Sequence, residues 1–232
     1  MEWLNSVWRL FETAFIKENR WQLYLKGLGT TVQVAVWAAL IGILIGTVLA
    51  FMKLSAKRNG KPTILTFLAN VYIDIIRGTP SVLQLLIMWF VVLKNCHNGI
   101  LVASITFGIN SGAYVAEIVR AGILAVDKGQ TEAGRSLGLN QFQTMRHIVL
   151  PQAFKNVLPP LGNEFIVLLK ETAIVGYVSL RDLTRTAHQL TAALYEPFMP
   201  LIIAAVIYFV IIKILTILLA KLERRLRKSD SR

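Results

Sequence analysis

Polar residues are spaced so widely along this chain that several apolar runs reach membrane-crossing length. A helix covers the hydrocarbon core of a bilayer with about 20 mostly apolar residues. Val32–Met52 meets that length, with Gln33 and Thr47 as its polar interruptions. Ile100–Ala125 meets it while carrying Asn110, Ser111, Glu117 and Arg120, and Pro200–Leu219 meets it around Lys213. Val82–Leu93 is apolar but short, and spans only if Thr79–Ser81 or the helix before it contributes. Val157–Leu169 is apolar around Asn163 and Glu164. The pattern predicts an all-α, polytopic membrane protein with five transmembrane helices.

Two segments outside these runs carry a helical period of their own. Trp3, Trp8, Phe11, Phe15 and Trp21 stand among charges, which suits an interfacial helix before the first span. Between spans three and four, Ala133, Leu137, Phe142 and Met145 recur near helical spacing, with Gln130, Arg135, Gln141 and Arg146 between them. Gly138 interrupts that pattern, which predicts a helix, a bend, and a second helix ending before Pro151. The resulting organisation is an extracytoplasmic interfacial helix over 1–26, a transmembrane domain over 27–225 with a helical cytoplasmic segment at 129–146, and a basic tail over 226–232.

Composition agrees with the pattern and adds an orientation. Of 232 residues, 55% are hydrophobic and only 16% are charged, against about 25% charged in soluble domains. The charges are lopsided, 25 Lys and Arg against 13 Asp and Glu. The basic residues flank the apolar runs instead of forming one patch, which argues for cytoplasmic loops and against nucleic-acid binding. Fifteen of the 25 fall in three loops that alternation puts on one side. They are Lys53, Lys57, Arg58 and Lys61; then Arg120, Lys128, Arg135, Arg146 and Lys155; then Lys221, Arg224, Arg225, Arg227, Lys228 and Arg232. By the positive-inside rule the N-terminus is outside and the C-terminus cytoplasmic. The first twenty residues carry Glu2, Glu12 and Glu18 and lack a clean apolar core, so they do not read as a cleavable leader.

Candidate chemistry is sparse. The single Cys96 excludes an intrachain disulfide and a Cys-rich metal site. His97, His147 and His188 lack metal-ligand spacing, and no nucleophile–base constellation is visible. No GxxxxGK[ST] string occurs, so the chain cannot cradle ATP in a P-loop. What remains are ionisable and polar groups inside spans, which are costly in hydrocarbon and point to function. Glu164 is the main one, about 20 Å along the chain from Pro151 if the segment between is helical. Pro159, Pro160 and Gly162 would disturb the helix just before it, freeing backbone groups for a ligand. Either Glu164 and Asn163 form a ligand site, or Asn163 caps the helix and Glu164 pairs with a cation such as Lys170. Asn110, Ser111 and Tyr114 either line a polar cavity or hydrogen-bond between helices. Glu117 and Arg120, at i and i+3, read as an internal salt bridge near the cytoplasmic end. Arg77 reads as the anchor of a kinked helix at the cytoplasmic interface. Phe142 and Met145 read as packing residues.

Several strings then match one family in order. Glu132-Ala133-Gly134, Leu137-Gly138, Ile148, Leu150-Pro151 and Ala153 resemble the EAA loop of ABC-importer permeases. Arg77-Gly78-Thr79-Pro80 with Gln84 resembles the RGTP segment of the polar amino acid uptake family, and Ser111–Arg120 its AYxAEixR stretch. Leu150–Ala153, Leu158–Pro160, Gly162–Glu164 and Leu169–Thr172 follow in the family's order, so the resemblance covers about Gly27 to Arg225. One departure is Gly134, where the motif's second Ala usually stands; glycine costs up to about 1 kcal/mol of helix propensity relative to Ala, which bears on the rigidity of that helix.

The resemblance implies a type I importer permease whose coupling helix docks on an ATPase. Gly129, Glu132, Ala133, Gly134, Leu137 and Gly138 would form the docking segment. Glu164, Asn163, Asn110, Ser111 and Tyr114 would meet the substrate. The implied partners are an ATP-binding cassette ATPase dimer that binds ATP and Mg, a second permease chain (a copy or a sister subunit), an extracytoplasmic substrate-binding protein and membrane lipid. No cofactor is expected in this chain and no enzymatic activity. The substrate expected is an amino acid, with arginine, lysine or histidine favoured by an embedded carboxylate. Two alternatives stand beside this: an ion-coupled secondary transporter working alone, and a glutamine or glutamate permease of the same family. Five spans and no clear internal repeat speak against the carrier.

Overall fold

The computed structural model describes residues 2–54 and 63–228, all of whose regular structure is helical. The basic cluster Lys57, Arg58 and Lys61 and the terminal Arg232 lie outside the described residues. Ten α-helices follow in order: α1 (Glu2–Phe11), α2 (Trp21–Leu54), α3 (Ile64–Arg77), α4 (Ser81–Ile87), α5 (Gly99–Leu124), α6 (Lys128–Ser136), α7 (Gln141–Thr144), α8 (Leu150–Glu171), α9 (Leu183–Leu194) and α10 (Phe198–Lys228). Shorter π or 3-10 turns extend α1, α4, α7 and α8.

Among the described residues, α2, α5 and α10 are long and apolar enough to cross a membrane. The pair α3 and α4 qualifies only when taken together, bent by 100° at the break where Gly78, Thr79 and Pro80 stand. That break carries the RGTP string, and Pro80 explains it, since a proline disfavours helical backbone in the residue before it. Helix α8 is 22 residues long but is too polar to count by composition. Three or four spans therefore pass that test, where the apolar runs predict five.

The chain packs as two compact units, Met1–Ala38 with Ser81–Phe107 and Ile166–Thr216, and Ala39–Pro80 with Gly108–Phe165 and Ile217–Arg232. In the second unit α2 and α5 share a seam of small residues. A Cβ on Gly42 would fall 3.0 Å from Ser111, and one on Gly46 would fall 2.6 Å from Val115. The four-residue spacing of Gly42, Gly46 and the buried Ala50 puts them on one helix face. Glycine there lets backbones approach where lipid gives no hydrophobic drive for association. The contacts advance together along both helices, so the two run parallel and end together. α8 runs antiparallel to α5, with Val157 against Gly122 and Asn156 Nδ2 donating to the Gly122 carbonyl at 3.3 Å. α3 also runs antiparallel to α2, from Thr66, whose hydroxyl donates to the Met52 carbonyl, to Tyr72, whose hydroxyl donates to the Ile109 carbonyl at 2.7 Å.

The first unit holds the N-terminal segment and α9. The chain turns at Glu18 and Asn19, both with φ of 54°. Arg20 holds the turn by donating to the Thr13 carbonyl and to Glu18. This folds Val7, Leu10, Phe11 and Phe15 of the N-terminal segment onto Tyr24, Leu183, Ala187 and Ile203. Trp3 and Trp8 remain largely exposed. Helix α9, which the apolar runs do not announce, starts at Asp182, whose buried carboxylate accepts the Thr184 and Arg185 amides at 3.0 and 2.8 Å. Burial pushes that carboxyl above the usual carboxylate range, against the pull of the Arg185 and Thr184 bonds. Thr31 of α2 accepts the Leu183 amide at 3.2 Å, and a Cβ on Gly27 would come within 2.6 Å of Thr186.

Two sequence expectations about α8 need correction. The helix before it does not stop ahead of Pro151. It continues through a π turn, Met145–Val149, whose wider ladder has already left α register where the proline lacks its N–H. Nor do Pro159 and Pro160 break α8, which runs unbroken from Leu150 to Glu171. Val157 and Leu161 pack on the core that includes Ala50, Val119 and Ile123, and this tertiary burial overrides local propensity.

Candidate functional site

The antiparallel crossing of α5 and α8 in the second unit places two predicted residues in contact. Ser111 Oγ donates to Glu164 Oε1 at 2.8 Å. Ser111 is 1% exposed, wedged between Glu164 and Gly42, while Glu164 is partly exposed. Among the described residues Glu164 joins no ion pair, so the pairing with Lys170 is not formed. A carboxylate accepts about four hydrogen bonds, and Ser111 supplies one. Asn163 is exposed beside Glu164 and caps nothing, since α8 continues past it. Asn110 is buried at 4% exposure. Tyr114, one turn along α5 from Ser111, is partly open, and the Arg77 guanidinium lies over its ring at 5.2 Å from the centroid.

Arg77 is expected at the cytoplasmic interface as the anchor of a kinked helix, and the structure shows which residues it meets. α3 starts beside Met52, near the C-terminal end of α2, and its last residue reaches the middle of α5.

The second predicted constellation is an exposed elbow. Asp127 caps α6 by accepting the Gly129 amide at 2.6 Å. α6 ends in a Schellman motif, with Leu139 N–H donating to the Gly134 carbonyl and Gly138 N–H to that of Arg135, both near 3 Å. Gly138 has φ of +83°, a conformation that favours glycine. Asn140 and Gln143 then form a reciprocal capping box at 2.9 Å each. Gly129, Glu132, Ala133, Leu137 and Gly138 are exposed, Leu137 at 81%. Phe142 is 71% exposed, so it is not a packing residue; Met145 does pack, against Val149 and its neighbours. Gly134 alone of the set is buried. A Cβ there would meet Ile148 at 2.8 Å and Thr144 at 2.9 Å, so the departure from the motif is where α6 rests on the following turn.

Glu117 forms the ion pair with Arg120 at 3.0 Å that the spacing predicts, and also pairs with Lys53 at the end of α2. No cluster of three potential metal ligands occurs among the described residues.

Comparison with known proteins agrees with this architecture. The family described as binding-protein-dependent transport system inner membrane component matches residues 42–228. An arginine transport system permease protein of Bacillus subtilis (strain 168) is 44% identical over 209 residues, covering 89% of this chain and 93% of that protein. A glutamine transport system permease protein of Escherichia coli (strain K12) is 34% identical over 200 residues, covering 84% and 90%. A crystal structure of an amino acid ABC transporter with histidines superposes with a TM-score of 0.80 at 44% identity, covering 88% of this chain and 94% of that one. The inward-facing methionine transporter MetNI superposes at 0.78 with 18% identity, covering 90% and 99%, which shows a shared fold. These relatives are permease subunits and not enzymes, and ATP hydrolysis lies in a separate subunit. The chain belongs to the binding-protein-dependent transport system inner membrane component family, as a multi-pass permease subunit of an ABC importer for amino acids.

Proposed function

We propose that this permease favours cationic amino acids, and that Glu164 is the group that recognises their charge. The observation that carries this is that Glu164 is bonded to the Ser111 hydroxyl and joins no ion pair among the described residues. A carboxylate left in a membrane-crossing helix without a cation is costly unless it gains one. A substrate guanidinium or ammonium is such a partner, and arginine engages a carboxylate through two parallel bonds. Arg77, beside Tyr114, supplies a cation for the substrate's α-carboxylate. The 44% identity to an arginine permease supports the reading, and the glutamine permeases at lower identity are its competitor.

In the assembled importer the N-terminus faces outward and the basic C-terminus faces the cytoplasm. Leu137 and Phe142, the exposed apolar residues of the elbow, sit in a groove of an ATPase dimer that holds ATP and Mg. A second permease chain completes the pathway, and an extracytoplasmic binding protein delivers substrate. Nucleotide-driven closure of the ATPases selects between inward- and outward-open states through residues 129–146.

The test is Glu164→Gln in the complex reconstituted with its ATPase, assayed with arginine and with glutamine. The expected outcome is a selective loss of arginine uptake, about tenfold or more for the loss of a charge-assisted pair. Equal loss of both substrates, or of neither, removes Glu164 from charge recognition and favours the glutamine reading.

A further inference from the structure

A cavity of about 300 Å³ in the first unit belongs to none of the sites above. Its walls come from α2 and from α9 with the residue before Asp182. Lys26 and Arg181 line it, with Thr30, Thr186 and Gln189 as polar neighbours and Leu23 and Leu190 among its apolar ones. We propose that it binds the phosphodiester head group of an anionic phospholipid.

Three observations point there. The first is charge: two cations from distant parts of the chain line one cavity, and no Asp or Glu lines it. Neither side chain has an ionic or hydrogen-bonding partner among the described residues. The nearby Asp182 does not balance them, because it is wholly buried and its carboxylate is turned to the amides of Thr184 and Arg185. The second is level. α2 has 34 residues, about 51 Å at about 1.5 Å each, against about 30 Å of hydrocarbon. Its apolar run begins at Val32, so Leu23–Thr30 lies at the head-group level, where the exposed Trp21 also suits the interface. The third is the mixture of groups. Thr30 and Thr186 already give their hydroxyl protons to the Lys26 and Asp182 carbonyls, so the donors left for an anion are Lys26, Arg181 and Gln189. Leu23 and Leu190 provide an apolar edge where a glycerol backbone would leave the cavity. A lysine and an arginine held at head-group level attract an anionic phosphate by about 1 kcal/mol each.

The experiment uses the purified permease–ATPase complex in detergent with equal amounts of phosphatidylglycerol and phosphatidylcholine, and native mass spectrometry reads which lipid is retained. The wild type is expected to retain phosphatidylglycerol selectively. K26Q/R181Q is expected to lose that preference about thirtyfold, as two head-group contacts of this kind would give, and K26R/R181K to keep it. If the double glutamine variant does not assemble, K26Q alone reads the same ratio with a smaller fall. Equal retention of both lipids by the wild type, or an unchanged ratio in the variants, overturns the proposal. A parallel arm adds inorganic phosphate: displacement of the lipid only at large excess supports a lipid source, whereas tight binding to the lipid-free complex assigns the site to the free anion and overturns it. Unchanged lipid retention with weakened capture of the extracytoplasmic binding protein also overturns it, making the cavity a dock for a protein carboxylate.

Discussion

Glu117 and Glu164 are two carboxylates on helices of one unit, α5 and α8, and they meet opposite surroundings. Glu117 stands between Lys53 and Arg120 at the shared end of α2 and α5. Glu164 stands against Ser111 and joins no ion pair among the described residues. One carboxylate is neutralised within the chain; the other joins no ion pair among the described residues. The difference follows from position: the first lies where two parallel helices end among basic residues, the second where two antiparallel helices cross beside a glycine seam too tight for a lysine. The lesson is that an acidic residue in a span is informative only after its cations have been counted.

The comparison can be broken from either side. The largest effect is expected from Glu117→Ala, which strands two cations. Breaking a buried pair costs about 3–5 kcal/mol; with part of this triad open to solvent, about 2 kcal/mol or more of stability should be lost, read as a lower unfolding midpoint in detergent. Replacing Lys53, Glu117 and Arg120 together by apolar residues should restore most of it, because the desolvation of all three is then removed. An unchanged midpoint in Glu117→Ala would make the triad incidental.

A middle-sized effect is expected from Ser111→Ala, which removes the hydrogen bond that Glu164 accepts from Ser111. Its loss corresponds to about 1 kcal/mol, seen as a KM for arginine raised about fivefold, with glutamine less affected. If both substrates keep their KM, the hydroxyl serves helix packing alone. The smallest effect belongs to Arg120→Gln. Arg120 is the most exposed member of the triad and Lys53 still neutralises Glu117, so a stability change within about 1 kcal/mol is expected. A larger loss would show that both cations are needed, and would sharpen the contrast with Glu164.

Much of this was legible in residue order. The apolar runs placed α2, α5 and α10, the proline at 80 marked the broken pair, and Gly138 announced the bend because its left-handed backbone is a local property. The i,i+3 spacing of Glu117 and Arg120 was enough for their pair, but the third member, Lys53, came from another helix and was not. Similar reasons explain the other misses. Pro159 and Pro160 look like helix breakers in isolation, and only the packing of Val157 and Leu161 carries α8 through them. Asp182 with Leu183-Thr184-Arg185 spells a helix cap, yet α9 is short and half polar, so no long run betrayed it. Gly134 looked like a weakness in α6 until Thr144 and Ile148 were seen to fill the space a methyl would need.

The elbow at Gly138 is built from contacts between near neighbours in the chain. Its Schellman bonds and its capping box close between Gly134 and Gln143, and none of them borrows a group from a distant helix. A joint of that kind holds its angle by its own covalent neighbourhood, so its stiffness does not depend on what the bilayer or a partner subunit is doing. If the elbow docks as proposed above, a load at Leu137 would be handed on to the π turn and α8 with little loss to bending of the joint. Were the same bend held by side chains of other helices, each change of state elsewhere would alter the lever arm. Here the bonds that set the bend close within the ten residues from Gly134 to Gln143.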